Sequence, residues 1–333
     1  MKKKMMLIGF IILTSMQMLC GCQSAPANTS ESVSQADPVS VTVEEGTLGV
    51  QSGFSTLPAQ EYASYMSGAF ACDIMEYDTP SEPLQELLAG NLDLCAAPLP
   101  AVIEAQAEGS PVKILCNFFQ KGAAVVGLVD GGIETFQDLP GKTVGFAEGS
   151  TEYTLLQLTL QENSVDPDSI NWVSMLPSEY NDALLAGEID AYCGDTATAG
   201  TAIIENFGKI ICYPYLDALG ANNLVLATTD SVIEGKRNWL QEMVDTNRTV
   251  MEMVAQNQDW YLDKAEELRL DTQAIQIEQD NFQWLWDMEE EYVIYARNMA
   301  SEMLSAGLIE KMPDFNLSFD FTFLEKTSQE YLQ

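Results

Sequence analysis

From residue 41 to about residue 213, short apolar runs alternate with stretches whose apolar positions recur at helical spacing. The pattern predicts a strand over 41–50, closed by Gln51, Ser52 and Gly53, a helix over 58–70, and a strand over 72–77 ended by Asp78, Thr79 and Pro80. Ser81 is placed to cap the next helix, with Pro83 in its first turn, Leu84, Leu87 and Leu88 as its apolar stripe, and Gly90 at its end. A strand over 92–96, a helix over 101–107 and an extended run over 112–117 follow. The same grammar then returns. Strands are expected over 143–146, 171–175, 189–193 and 210–213; helices begin near Glu148 and at Ser178, the latter turning Leu184 and Leu185 inward and stopping at Gly187. Such alternation argues for mostly parallel sheets with helices on both faces. Beyond Thr228 the period is helical: Ser231 and Glu234 form a capping box, and helical patterns run to about Gly307, with Trp239, Trp260, Trp284 and Trp286 read as core.

The two halves also share wording. LLAGNLD (87–93) recurs as LLAGEID (184–190), TLGVQSGFS (47–55) answers TVGFAEGST (143–151), and the Lys113-Ile114 pair answers Lys209-Ile210. The offsets are 97, 96 and 96 residues, too long for a solenoid period and repeated only once, so the expectation is two lobes of similar build. Apolar runs at 123–129 and 223–228 are each long enough to pass between lobes. They divide the chain into lobe 1 (41–126 and 223–333) and lobe 2 (127–222), joined by a two-strand hinge around a cleft.

Composition narrows what such a molecule does. Lys2, Lys3 and Lys4 precede an apolar run too short to cross a bilayer comfortably, and LCGC follows at 19–22; residues 1–21 read as an export signal resembling that of a bacterial lipoprotein, with Cys22 as the lipidated residue. Residues 22–40 are Ser-, Ala-, Pro- and acid-rich and read as a flexible tether. Three of the 15 basic residues and none of the 50 acids precede Cys22, so the chain from Cys22 onward carries −38, which repels nucleic acid and anionic lipid alike. Cys72, Cys95, Cys116, Cys193 and Cys212 show no metal-ligand spacing and read as small core residues. With no histidine in the chain, Ser-His and Cys-His nucleophiles, His metal sites and imidazole acid–base chemistry are all excluded. No catalytic residue, metal or cofactor is expected.

In open α/β sheets ligands sit beyond the carboxyl ends of the strands. That rule selects four loops and, within them, Ser52, Phe54, Ser55, Ala97, Pro98, Gly149, Ser150, Thr151 and Asp195 as candidate ligand contacts. Gly149-Ser150-Thr151 sits where a strand gives way to a helix, so it either presents amides and hydroxyls to a polar group or serves as a plain cap. Asp195 either holds a donor or cation of the ligand or is a solvated turn acid. Lys121 is one of few cations near the expected cleft, and Phe118 and Phe119 beside it either stack on a ring or belong to the core.

These residues resemble a known family. ELLAGNLDLCAAP, GSPVKIL, FQDLPGKTVGFAEGST, ALLAGEIDAYCGD and SFDFTFLEK are similar to segments of the solute-binding proteins of ABC importers in the nitrate, sulfonate, taurine and thiamine-precursor group, over residues 41–326. The resemblance implies an α/β, bilobal periplasmic-binding-protein fold of type II, with two mostly parallel sheets flanked by helices. It also implies a monomeric receptor held to the membrane through Cys22, which closes on a small solute and hands it to a permease and its ATPase. By the same resemblance Ser150, Thr151 and Asp195 contact the ligand. Asp195 is followed by Thr196 where the family usually has proline, and the loop at 52–63 departs from the family's wording, which bears on the substrate. The alternatives are a surface sensor without transport, or a thiamine-pyrimidine synthase of the same fold, which requires an active-site histidine that this chain does not supply.

Overall fold

Two sheets with one strand order organise the computed structural model, which describes residues 42–324 apart from 258, 268 and 269. The strands are β1 (Glu44–Gln51), β2 (Phe70–Tyr77), β3 (Leu94–Pro98), β4 (Val112–Lys121), β5 (Ala123–Leu128), β6 (Thr143–Phe146), β7 (Asn171–Ser174), β8 (Ala191–Asp195), β9 (Gly208–Cys212), β10 (Asn222–Thr229) and β11 (Phe282–Trp284). The six-stranded sheet runs β2-β1-β3-β10-β4-β11 and the five-stranded sheet β7-β6-β8-β5-β9, so β1 corresponds to β6, β3 to β8 and β10 to β5. The recurrent sequence words occupy equivalent places, each LLAG segment closing the helix (Glu82–Leu88 or Tyr180–Ala186) that feeds β3 or β8.

The sheets are mixed rather than mostly parallel. β1 pairs in parallel with β2 and β3, and β6 with β7 and β8, whereas β10 runs against β3 and β4, and β5 against β8 and β9. The reason lies in how the chain changes sheets. It crosses at Gly122, between β4 and β5, and returns over 213–221, between β9 and β10. A strand that enters from the opposite lobe starts at the edge where its neighbours end, as Leu224 at the head of β10 does beside Pro98 at the tail of β3. The runs at 123–129 and 223–228 are therefore sheet strands, not the crossings themselves. The crossings lie side by side: the Lys121 amide donates to the Ala221 carbonyl at 2.7 Å, and the Ala123 amide to the Tyr215 hydroxyl at 2.5 Å.

Local chemistry moved several expected boundaries. The helix expected over 58–70 is a 3-10 segment (Phe54–Glu61) and one α-turn (Tyr62–Tyr65), after which β2 begins at Phe70. Pro58 removes an amide donor inside that segment, and Thr56 Oγ1 ties it back to the Gln51 carbonyl at 2.6 Å. Ser81 makes no cap bond; instead the Glu82 carboxylate accepts from the Thr79 amide at 3.0 Å. Ser231 lies inside the long helix Asp230–Gln256 rather than at its cap. Leu185 is 53% exposed while Leu184 is fully buried, because the short helix has room for one apolar ridge. Trp284 lies on β11 and not on a helix.

The C-terminal third closes both faces of the larger sheet. Trp239, Leu240 and Met243 from Asp230–Gln256 pack with Leu48, Leu94 and Phe118 on one side; Tyr292, Ala296 and Met299 from Glu290–Ser305 pack with Cys95, Ala97 and Val225 on the other. Burial of the larger of these side chains, roughly 1.5–3 kcal/mol each, holds the lobe as a frame for its loops. Cys95, Cys116 and Cys193 are buried, Cys72 and Cys212 half-buried, and all five are free thiols. Among the described residues no helix is long and apolar enough to cross a membrane. Cys22, the signal, the tether and residues 325–333 lie outside the described residues.

Candidate functional site

Strand ends from both sheets open on one cavity of about 370 Å³. Gln51 ending β1, Ser52 to Ser55 after it and Pro98 at the end of β3 line it from the larger sheet; Ala147, Ser150 and Glu152 after β6, and Gly194 and Asp195 ending β8, line it from the smaller. Its volume falls in the range that takes a single small molecule, ~300–1,000 Å³.

Each wall has a local cause. Gly53 takes φ 151°, which turns the chain off β1 and lays Phe54 inward at 7% exposure, its ring edge-on to Phe282 at 4.7 Å. Gly149 takes φ 74°, after which Ser150 caps the helix Thr151–Glu162, its Oγ accepting from the Tyr153 amide at 3.2 Å. Asp195 caps Thr196–Ile204 through the Thr198 amide (2.9 Å) and hydroxyl (2.6 Å). Asp271 caps Thr272–Ile277 through the amides of Gln273 (2.9 Å) and Ala274 (3.1 Å) and also lines the cavity. Tyr180, stacked on Tyr192 at 4.9 Å, forms part of the lobe 2 wall.

Ser52, Phe54, Ser55, Pro98, Phe119, Ser150 and Asp195, all expected from sequence, line the cavity together. The other four expected contacts are absent from its wall. Ala97 is buried in register with Val225 within the sheet. Thr151 is fully buried and donates to the Asn223 carbonyl at 3.3 Å. Gly149 is turned toward Ser81 of the facing lobe. Lys121 adopts φ 58° at the crossing and spends its ammonium on the Asp280 carbonyl at 2.9 Å.

Sequence reading missed Glu152, Tyr180, Asn181, Asn223 and Asp271, all in the wall. Glu152 was within reach, one residue past the expected Gly149-Ser150-Thr151 turn. Asp271, Leu270 and Ile275 arrive from the C-terminal third, and nothing local in that segment announces it. Arg269, next to them in sequence, lies outside the described residues.

Burial raises the Glu152 carboxyl above the ordinary glutamate value, and the Asp195 charge raises it further; hydrogen bonds from Asn223 Nδ2 (3.3 Å) and Ser150 oppose the rise. Burial also pushes the thiol of Cys116 up to about 12 and that of Cys193 well above its usual range, which leaves both as inert core groups.

A family model described as NMT1/THI5 like matches residues 65–261, more than half of the chain and both strand-end loops of lobe 2. The chain belongs to the NMT1/THI5-like family. A search of curated protein sequences finds no match. Among solved structures, the alkanesulfonate-binding protein SsuA from Xanthomonas axonopodis pv. citri, bound to MOPS, is similar at TM-score 0.73 and 15% identity, covering 84% of this chain and 99% of that one. A Candida albicans gene product with the generic periplasmic binding protein fold gives TM-score 0.69 at 12% identity, covering 84% and 96%. The periplasmic nitrate-binding protein NrtA from Synechocystis PCC 6803 gives 0.64 at 11%, covering 83% and 87%. At such identities the likeness establishes the fold, which this NMT1/THI5-like chain shares across both lobes.

Proposed function

We propose that this chain is the solute-binding component of an ABC importer, anchored through Cys22 on the extracytoplasmic face of the cell membrane, and that it captures a small solute by closing its lobes. One observation carries the reading: a cavity of about 370 Å³ lined from two sheets that, among the described residues, two adjacent backbone crossings connect. A ligand touching both walls binds the closed arrangement better than the open one, and that difference alone drives closure. A micromolar solute supplies about 8 kcal/mol, ample for a lobe equilibrium of a few kcal/mol. Similarity to binding proteins for alkanesulfonate and nitrate supports the class. The lack of histidine weighs against an enzyme of the same family.

Calorimetry on the purified protein with a panel of nitrate, taurine, alkanesulfonates, aminopyrimidines and amines, paired with solution scattering, tests it. One small solute is expected to bind and raise stability by about 2.7 kcal/mol at a hundredfold excess over Kd. A panel without any binder, together with scattering that never changes, defeats the receptor reading. Separately, Cys22→Ser is expected to release the protein from membranes; unchanged membrane retention removes the anchor.

A further inference from the structure

The cavity's charge is one-sided. Among the described residues, Glu152, Asp195 and Asp271 bring carboxylates to its wall, and no lysine or arginine lines it. Amides at helix starts would ordinarily make such a place attractive to an anion. Here the helix starts are already served. Asp195 takes the Thr198 amide, Asp271 takes those of Gln273 and Ala274, and Ser150 takes that of Tyr153 with Glu152 behind it in the first turn. An entering anion would meet Asp195 and Asp271, both held in place by their caps, with the Glu152 carboxyl beside them, and like charges repel. The nearby cation expected from sequence, Lys121, is bonded to the Asp280 carbonyl instead.

What the wall does offer suits the opposite charge. Asp195 and Asp271 are committed to caps, whereas the Glu152 carboxyl, in the cavity wall, is held by Asn223 Nδ2 at a long 3.3 Å, by Ser150 and by its own backbone amide. Phe54 and Phe119 on one side and Tyr180 on the other give the wall an apolar lining, which favours a flat apolar body. Resting on the solute-receptor reading above, we infer that the site takes a small organic cation, a protonated amine or amidine on a ring-sized body, with Glu152 as its counter-charge. Closure then brings the lobe 1 rings over the body while lobe 2 holds the charge. Burial raises the Glu152 carboxyl above the ordinary glutamate value, and a cation beside it acts in the opposite direction, favouring the carboxylate.

Four probes of one ring size separate charge from shape: benzamidine, benzamide, benzoate and benzenesulfonate, titrated into the full-length protein. Benzamidine is expected to bind about tenfold tighter than benzamide and about a hundredfold tighter than either anion. Glu152→Gln is expected to weaken benzamidine about tenfold and leave benzamide unchanged, Glu152→Asp to restore part of the loss, and Glu104→Gln, outside this cavity, to change nothing. A single cooperative melt of each apo variant shows that it has folded. Tighter binding of an anion, or benzamidine binding indifferent to Glu152→Gln, overturns the cation class and leaves the receptor standing. So does silence from all four probes while nitrate or taurine binds. Silence from every small solute takes down both.

Discussion

Asp190 Oδ2 accepts a hydrogen bond from the Thr143 amide at 2.8 Å, and the Asp190 amide returns one to the Thr143 carbonyl at 2.7 Å. In lobe 1 Asp93 does the same for Thr47, accepting from its amide at 2.9 Å and donating to its carbonyl at 3.3 Å. Each aspartate thus ties one strand to the turn that leads into its neighbour, β6 at its first residue Thr143 and β1 at Thr47, just before its pairing with β3 begins. This explains why both LLAG words end in Asp: the carboxylate satisfies a strand amide where the ladder with the neighbouring strand has not yet begun.

Truncating either aspartate therefore loosens its sheet, but unequally. Asp93 also accepts from Thr47 Oγ1 at 3.1 Å and pairs with Lys236 at 2.8 Å. Asp190→Ala is expected to cost about 1–2 kcal/mol and Asp93→Ala about 2–3 kcal/mol, the extra for Lys236 kept small by its exposure. Urea denaturation of the two variants checks the order, and equal costs would show that Lys236 adds nothing.

The lobes meet backbone to backbone at Gly200. A Cβ there would fall within 2.7 Å of the Ala274 carbonyl carbon and closer still to its oxygen, so Gly200→Ala must push Thr196–Ile204 off Thr272–Ile277. The expected loss is about 1–3 kcal/mol, with a larger radius of gyration in scattering. Gly149→Ala combines φ 74° with a Cβ 2.9 Å from that of Ser81, and should lose about 1 kcal/mol or more. Wild-type stability and size in both variants would mean that neither contact limits the approach of the lobes.

Acidity should stabilise the empty protein. Burial raises the carboxyls of Glu104, Glu152 and Glu278 above the ordinary 4.5. For groups whose folded values are raised, the stability they contribute is complete below the unfolded value and is lost as pH climbs through the folded one. Melting temperature should therefore fall as pH rises from about 4.5 toward neutrality, and the high negative charge acts in the same direction. Glu278, 3% exposed and bonded to Tyr213 Oη and Asn281 Nδ2 at 3.0 Å each, is the place to test it. Glu278→Gln should flatten the pH profile in thermal melts; an unchanged slope assigns the effect to the other acids.

One indole anchors the long C-terminal helix to the larger sheet. Trp239 is fully buried, its Nε1 donates to the Ala71 carbonyl at 2.8 Å, and Gly46 leaves the space it fills, a Cβ there falling 2.6 Å from Trp239 Cζ2. Trp239→Ala is expected to cost about 3–5 kcal/mol, read by calorimetry or denaturant titration. Gly46→Ala should also destabilise, from the other side of the same contact. A small loss in both would mean the helix is held elsewhere.

Periodicity, turn residues and the repeated words are local quantities, and from them most strands, most helices, the two-lobed plan and the strand-end loops were legible without coordinates. The repeat carried so much because the same aspartate-to-strand clamp serves both halves. Tertiary structure decided what depends on direction and distance. Strands delivered across the crossing had to run backwards in their new sheets. Lys121, bent into a left-handed turn, could not reach the cavity. Leu185 faced water because a two-turn helix buries one ridge. The cavity's charge belongs to this second class, since Glu152, Asp195 and Asp271 stand far apart in sequence and share a wall only because three helices begin there.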